Sequence, residues 1–148
     1  MIAVQARGIE ELGVLIPAIV DRLACATGMS HSQAYRMRLA AEEITTNIVT
    51  HGYGGRDGTI DIDAGFDDDW VWVRIEDDAA EFDPAAYDVA SRLAMDPGWA
   101  PLGGFGLFLA LSSVDRLEHV RAGGRNRNLL KIRRLGGNDE EVVRSGRG

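Results

Sequence analysis

Apolar and polar positions in the first third of the chain follow two spacings. Residues 2–7 alternate weakly, which predicts a short first strand. Over residues 9–27 the apolar positions recur every three or four residues, which predicts a helix that ends at Gly28. Ser30, with a glutamine three residues later, forms a capping-box pattern, so a second helix is expected from there to about His51.

The rest of the chain favours strands. Residues 60–66 and 70–77 alternate apolar with polar side chains, and three aspartates between them predict a turn. A last pair of strands, about 115–121 and 126–134, is expected to form a hairpin around Gly123-Gly124. Two shorter helices are predicted over 84–95 and 107–114. This order predicts an α+β fold, a two-layer sandwich of one mostly antiparallel sheet with helices on one face.

Composition and charge narrow the class of protein. The chain has 148 residues, 45% hydrophobic and 26% charged, as in one soluble globular domain, placed at 1–135 with a disordered tail over 136–148. A net charge of −7 argues against nucleic acid or an anionic membrane as the main partner. No apolar run approaches the roughly 20 residues that span a bilayer, and the start lacks a signal-peptide layout, so a cytoplasmic protein is expected.

The second predicted helix carries a row of chemically active side chains. Glu43, Asn47 and His51 are spaced four residues apart and therefore share a helix face, beside an apolar stripe that contains Ile44 and Ile48. A carboxylate can accept a proton, and an amide oxygen is a hard ligand that suits Mg²⁺. For this helix alone, an ordinary solvated face explains the row equally well.

Asp77 occupies an unusual position at the end of a predicted strand. Strand parity places it on the same face as Val71, Val73 and Ile75, and a buried carboxylate is costly unless something pairs with it. An ionised carboxylate only accepts hydrogen bonds, so it suits an exocyclic amine such as adenine N6. Small residues after it, including Ala79, would let a planar base approach the backbone. The alternative is that the chain simply turns at Asp77.

A glycine-rich segment opens the last predicted helix. Gly104 and Gly106 precede Leu107, and a helix start of this kind offers free N–H groups to phosphates. Taken singly, such a pattern is often only a tight turn.

Together and in this order, the three motifs resemble the GHKL superfamily of ATP-binding proteins, which have the Bergerat, or histidine-kinase-like ATPase, fold. Within it the chain is similar to the anti-sigma-factor serine/threonine kinases of bacterial partner-switching systems. The resemblance runs from the first helix to about Leu135, and includes His51-x-Tyr53, Phe82-Asp83-Pro84 and Gly124-Arg125-Asn126.

The resemblance implies a role for each motif. Glu43 is the catalytic base, Asn47 binds Mg²⁺, and Asp77 recognises adenine. The glycine-rich segment closes on the phosphates, and residues 83–102 form a lid over ATP. The positions to which it gives nucleotide contacts are Asn47, His51, Asp77, Ala79, Phe82, Gly103, Gly104, Gly106 and Leu107. Ala79 departs from the family, which has glycine there, and Glu81 replaces another small residue. ATP binding is expected to survive the alanine, which is the mildest substitution for glycine.

The implied activity is transfer of phosphate from MgATP to a STAS-type anti-sigma-factor antagonist by a protein that also binds a sigma factor and forms a homodimer. An alternative is a non-catalytic module that uses ATP only to switch partners. A structural domain without nucleotide would leave Asp77 and Gly104 unexplained. Trp70 and Trp72 share the sheet face opposite the helices, and form an apolar patch suited to a protein partner unless another segment covers them.

Overall fold

A computed structural model describes residues 1–56, 58–83 and 112–135 of the chain. The elements in chain order are β1 (Ile2–Arg7), α1 (Gly8–Thr27), α2 (His31–Asn47), a π-helical turn (Ile48–Gly52), β2 (Thr59–Phe66), β3 (Trp70–Asp77), β4 (Arg116–Ala122) and β5 (Arg125–Arg133). The strands predicted from alternation and the two N-terminal helices are therefore present at close to their expected bounds.

Within the described residues, five strands form one sheet in the order β1-β2-β3-β5-β4, and every neighbouring pair is antiparallel. The two helices pack against each other and against the sheet. These features confirm the predicted α+β fold with an antiparallel sheet. Residue 77, the last of β3, lies opposite residue 126 of β5, so the inner strands β3 and β5 meet although more than 40 residues separate them along the chain.

The core lies between the helices and one face of the sheet. Each inner strand places every second side chain on this face, as period-two alternation requires. Ile16, Leu23, Met37 and Ile44 of the helices close over it. The strand residues with no exposed surface are Ala6, Ile60, Ile62, Ala64, Ile75, Leu130 and Ile132.

Local signals fix the helix ends as the sequence predicts. Gly28 ends α1 with φ of 73°, a left-handed conformation that glycine adopts without strain. Ser30 caps α2: its hydroxyl accepts from the Gln33 N–H at 3.1 Å, and the Gln33 carboxamide accepts from the Ser30 N–H at 3.1 Å. The Gln33 amide nitrogen also donates to the Arg133 carbonyl at 3.0 Å, which ties the start of α2 to the end of β5.

The end of the second helix differs from the prediction. The helix does reach position 51, but α-helical geometry stops at Asn47, and Ile48–Gly52 forms a π-helical turn in which the Tyr53 N–H donates to the Ile48 carbonyl at 2.8 Å. The wider i→i+5 turn rotates His51 away from the position that α-helical spacing would give it.

Several predictions fall outside the described residues: the helix at 84–95, the lid apart from Asp83, the glycine-rich segment, and the tail at 136–148. Ser112 and Ser113, at the end of the predicted helix 107–114, are helical. Across 1–56, 58–83 and 112–135, neither long helix has the length and apolar character that crossing a membrane requires.

Candidate functional site

Asp77 is buried at the end of β3, with 1% of its surface exposed. It pairs with Ile60 on one side and Asn126 on the other, so the chain does not turn before it. Its Oδ1 accepts from the Ala79 N–H at 2.9 Å and from Asn126 Nδ2 at 2.9 Å. No group among the described residues bonds its buried Oδ2. Asp77 thus has one oxygen that is held and one that is free to accept a donor.

Asn126 holds the segment that follows Asp77. It is 2% exposed. Its Nδ2 lies 2.9 Å from Asp77 Oδ1, 3.2 Å from the Ala79 carbonyl and 3.0 Å from the Ala80 carbonyl, and its Oδ1 accepts from the Phe82 N–H at 3.2 Å. One side chain from β5 therefore positions both the carboxylate and the next five residues of backbone.

Asn126 belongs to the Gly124-Arg125-Asn126 pattern of the resemblance, but its role is not predicted from the sequence. A signal was present, because strand parity places Asn126 and Asn128 on the apolar face with Leu130 and Ile132. Two asparagines on a core face need partners. Asn128 finds one in His119, whose Nδ1 lies 2.9 Å from Asn128 Oδ1.

Two arginines of the β4–β5 hairpin add to this support. Arg121 donates to the Ala79 carbonyl at 2.8 Å, and Arg125 binds the Asp78 carboxylate at 2.9 Å. Arg121 thereby holds the backbone of the segment after Asp77 against the sheet, whereas Arg125 contacts the exposed side chain of Asp78.

On α2, the Glu43–Asn47 pair is arranged by one hydrogen bond. Asn47 Nδ2 donates to the Glu43 carbonyl at 2.7 Å, which fixes the carboxamide and leaves its Oδ1 without a donor in the described residues. The Glu43 carboxylate is partly exposed, and no salt bridge or hydrogen bond engages it within that part of the chain. Both oxygen groups are therefore available to a ligand.

His51 is exposed on the π-helical turn, and no described residue bonds its ring. The structure thus shows no hydrogen bond from His51 to Asp77 or Asn47, and its contact with the nucleotide stays a prediction.

The π-helical turn joins the helix motif to the strand motif. A Cβ added to Gly52 would lie 2.8 Å from the Ala79 Cβ, so these two residues are in close contact. The Tyr53 hydroxyl donates to the Thr59 carbonyl at 2.7 Å and accepts from the Asp78 N–H at 2.9 Å. The structure thereby brings together two of the three motifs that the sequence separates.

Burial raises the pKa of the Tyr53 phenol, and the nearby carboxylates of Asp77 and Asp78 raise it further, against the opposing effects of the Asp78 hydrogen bond and Arg125. The phenol therefore keeps its proton, which it needs to donate to Thr59.

Ala79 fits its position without strain. Among the described residues only glycines have positive φ, so Ala79 does not adopt the conformation that a glycine would permit. Its methyl is buried against Gly52. The methyl therefore has a packing partner in the protein. Phe82, three residues later, is 37% exposed at the surface beside Asn126.

The phosphate-binding prediction involves Gly103, Gly104, Gly106 and Leu107, which all lie outside the described residues. The described segments also contain no group of three or more His, Cys, Asp or Glu placed to hold a metal ion. Mg²⁺ in nucleotide sites commonly uses one or two protein oxygens together with phosphates and water, and the Asn47 amide oxygen fits that requirement.

The family model of the histidine kinase-like ATPase domain matches residues 10–134 of the chain. A search of curated proteins gave no match to the chain.

Proposed function

The chain belongs to the histidine kinase-like ATPase domain family, and on that premise we propose that it is a protein serine/threonine kinase that also acts as an anti-sigma factor. It binds MgATP and phosphorylates a STAS-type anti-sigma-factor antagonist. The observation that carries the nucleotide part is the buried Asp77, whose Oδ2 has no donor among the described residues.

Adenine satisfies that oxygen. A buried acceptor without a donor costs about 1–3 kcal/mol or more when it is charged, and the N6 amine supplies the missing hydrogen bond. Asn126 and the Ala79 N–H hold the other oxygen, so the carboxylate is oriented before the base arrives. A purine with a carbonyl at the same position would place an acceptor against an acceptor and be rejected.

The chemistry follows from the Glu43–Asn47 pair. Asn47 Oδ1 would hold Mg²⁺, which neutralises charge on the phosphates when bound. The Glu43 carboxylate accepts the proton of a substrate hydroxyl as that oxygen bonds to the γ-phosphorus and ADP leaves. The antagonist, the sigma factor and a homodimeric state rest on the resemblance to anti-sigma-factor kinases.

The test of the pocket is calorimetric titration of MgATP and MgGTP into the wild type, Asp77→Asn and Asp78→Asn. Asp78 is the control, because it is an exposed neighbour with its own Arg125 salt bridge. We expect Asp77→Asn to weaken the affinity for MgATP at least tenfold and Asp78→Asn to leave it within about twofold. A tenfold loss corresponds to roughly 1.4 kcal/mol, about the contribution of one hydrogen bond. Equal loss in both variants would contradict the assignment.

A second assay separates the kinase from a non-catalytic switch. Labelled ATP is incubated with a STAS-type antagonist and with the wild type, Glu43→Gln or Glu42→Gln. Glu42 is the matched control, because it lies beside Glu43 on α2 but pairs with Arg38. The kinase assignment is supported if the antagonist acquires phosphoserine or phosphothreonine and if Glu43→Gln, but not Glu42→Gln, abolishes this modification. MgATP binding without phosphoprotein at any enzyme concentration assigns the chain to the switch.

A further inference from the structure

The sheet face opposite the helices divides into two halves with different charge balance. In the half near the end of β3, the arginines that β3 and β5 place on this face are each matched by a carboxylate. Arg74 binds Asp63, and Glu76 lies within 3.5 Å of both Arg74 and Arg125. The other salt bridges in this half are Arg125–Asp61, Arg125–Asp78 and Arg127–Glu76. This half is neutralised by its own residues.

The half near the start of β3 is different. Three cations surround the Trp70 ring: Arg116 at 5.4 Å, Lys131 at 4.7 Å and Arg133 at 4.6 Å from its centroid. None of the three forms a salt bridge within residues 1–56, 58–83 and 112–135. Trp70, Arg116, Lys131 and Arg133 are here called the Trp70 cluster.

Two carboxylates beside the cluster, those of Asp67 and Asp115, bind backbone, and Glu118, on the same face of β4 as Arg116, forms no salt bridge with these cations. Asp67 accepts the N–H groups of Asp69 and Trp70, each at 2.8 Å, and these bonds are the main cause of its lowered pKa. Asp115 accepts the Arg133 N–H at 2.7 Å. The cations thus share an aromatic ring and have no salt-bridge partner in the part of the chain that the structure describes.

Trp72 does not extend the cluster. Its ring covers Gly65, where an added Cβ would lie 2.7 Å from the indole. Arg74, already paired with Asp63, lies over it at 5.9 Å. The expected apolar patch of two tryptophans is therefore not formed. Trp72 packs on Gly65, and Trp70 is surrounded by three cations that have no salt bridge among the described residues.

We propose that the Trp70 cluster docks an acidic segment of a partner protein. Three unpaired cations on one aromatic ring attract carboxylates, and the ring offers apolar surface to a side chain beside them. The chain carries a net charge of −7, so a long polyanion such as nucleic acid is repelled by the protein as a whole while a short acidic segment meets only the local positive charge.

This surface is independent of the nucleotide site. Trp70 begins β3 and Asp77 ends it, about 23 Å away at the usual rise per strand residue, and the two side chains point to opposite faces of the sheet. A partner can therefore occupy the cluster whether or not a nucleotide is bound, and the proposal does not depend on kinase activity.

The test uses fluorescence anisotropy with a fluorescein-labelled peptide of twelve residues that contains eight glutamates and two leucines. A second peptide with glutamine at the eight positions is the probe control. The full chain is compared with Arg116→Gln/Lys131→Gln/Arg133→Gln. The matched control, Arg22→Gln/Arg38→Gln/Arg56→Gln, removes the same charge from exposed residues outside the cluster. Thermal unfolding and MgATP titration establish that each variant is folded.

We expect the full chain to bind the glutamate peptide and not the glutamine peptide, with affinity that falls as salt rises. The cluster variant should lose at least tenfold and the matched control less than threefold. Three results would overturn the proposal: equal loss in both triple variants, tighter cluster-dependent binding of a twelve-nucleotide DNA strand, or peptide binding that appears only when residues 136–148, which include Asp139-Glu140-Glu141, are removed. The last result would identify the chain's own tail as the occupant.

Discussion

Replacing Asn126 by alanine tests whether base recognition depends on a residue that need not touch the base. The matched variant is Asn128→Ala. Both asparagines are 2% exposed on the same face of β5, two residues apart, but Asn126 binds residues 77–82 while Asn128 binds His119. Comparing the two variants therefore separates the effect of losing a buried asparagine from the effect of losing the contacts to residues 77–82.

The expected cost to stability follows from the bonds that are lost. Asn126→Ala removes a bond to the carboxyl group of Asp77, worth about 1–3 kcal/mol, while Asp77 Oδ1 keeps the Ala79 N–H. The Ala79 carbonyl keeps Arg121, and the exposed Ala80 can bind water. We therefore expect the free energy of unfolding to fall by about 2–3 kcal/mol, against about 1–2 kcal/mol for Asn128→Ala.

The expected effect on the nucleotide is separate. Without Asn126, the backbone after Asp77 loses its contacts at Ala80 and Phe82 and must be ordered when ATP binds. Ordering one residue costs about 1–2 kcal/mol, so the dissociation constant for MgATP should rise on the order of tenfold. Asn128→Ala should leave it within about twofold.

The assay is urea unfolding followed by calorimetric titration of MgATP at a temperature where each variant is more than 95% folded. Equal ATP affinity in the two variants, with Asn126→Ala folded, would refute the reasoning. Residues 78–82 would then be held by their contacts with Tyr53, Arg121 and Arg125, and Asn126 would have only a structural role.

Two further predictions concern the junction between the two motifs. Gly52→Ala should destabilise the protein by about 1 kcal/mol or more, because the added Cβ would lie 2.8 Å from the Ala79 Cβ. In a double-mutant cycle measured by urea unfolding, adding Ala79→Gly should restore stability. Strictly additive effects would mean that the contact is absent. Because the pKa of Tyr53 is raised by folding, its contribution to stability is complete below the unfolded pKa of about 10 and is lost as pH rises through the folded pKa. The wild type should therefore lose more stability than Tyr53→Phe between about pH 9 and 11. Parallel curves of unfolding free energy against pH would contradict this sign.

Much of the fold was predictable because its signals are local. Alternation located the strands, Gly28 and Ser30 marked helix ends, and parity alone placed Asp77 on the buried face. The same parity applied to Asn126 would have shown a second polar residue on that face, but its partners depend on the pairing of β3 with β5, which no local pattern specifies.

The π-helical turn was not predictable for a related reason. One turn of apolar spacing does not distinguish i→i+4 from i→i+5 bonding. The close approach of Gly52 to Ala79 is a contact between distant parts of the chain. The charge state of the Trp70 cluster also depends on strand order, because Arg116 and Lys131 reach the ring only when β4 and β5 lie beside β3.

The bond between Asp77 and Asn126 spans 49 positions along the chain. A ribosome adding about 5–20 residues per second needs roughly 2–10 s to make the second residue after the first. During that interval Asp77 has neither its strand partner in β5 nor the amide donor of Asn126. A nucleotide therefore cannot stabilise the nascent chain through this site until β5 has emerged, and its stabilising effect is restricted to chains in which the sheet is complete.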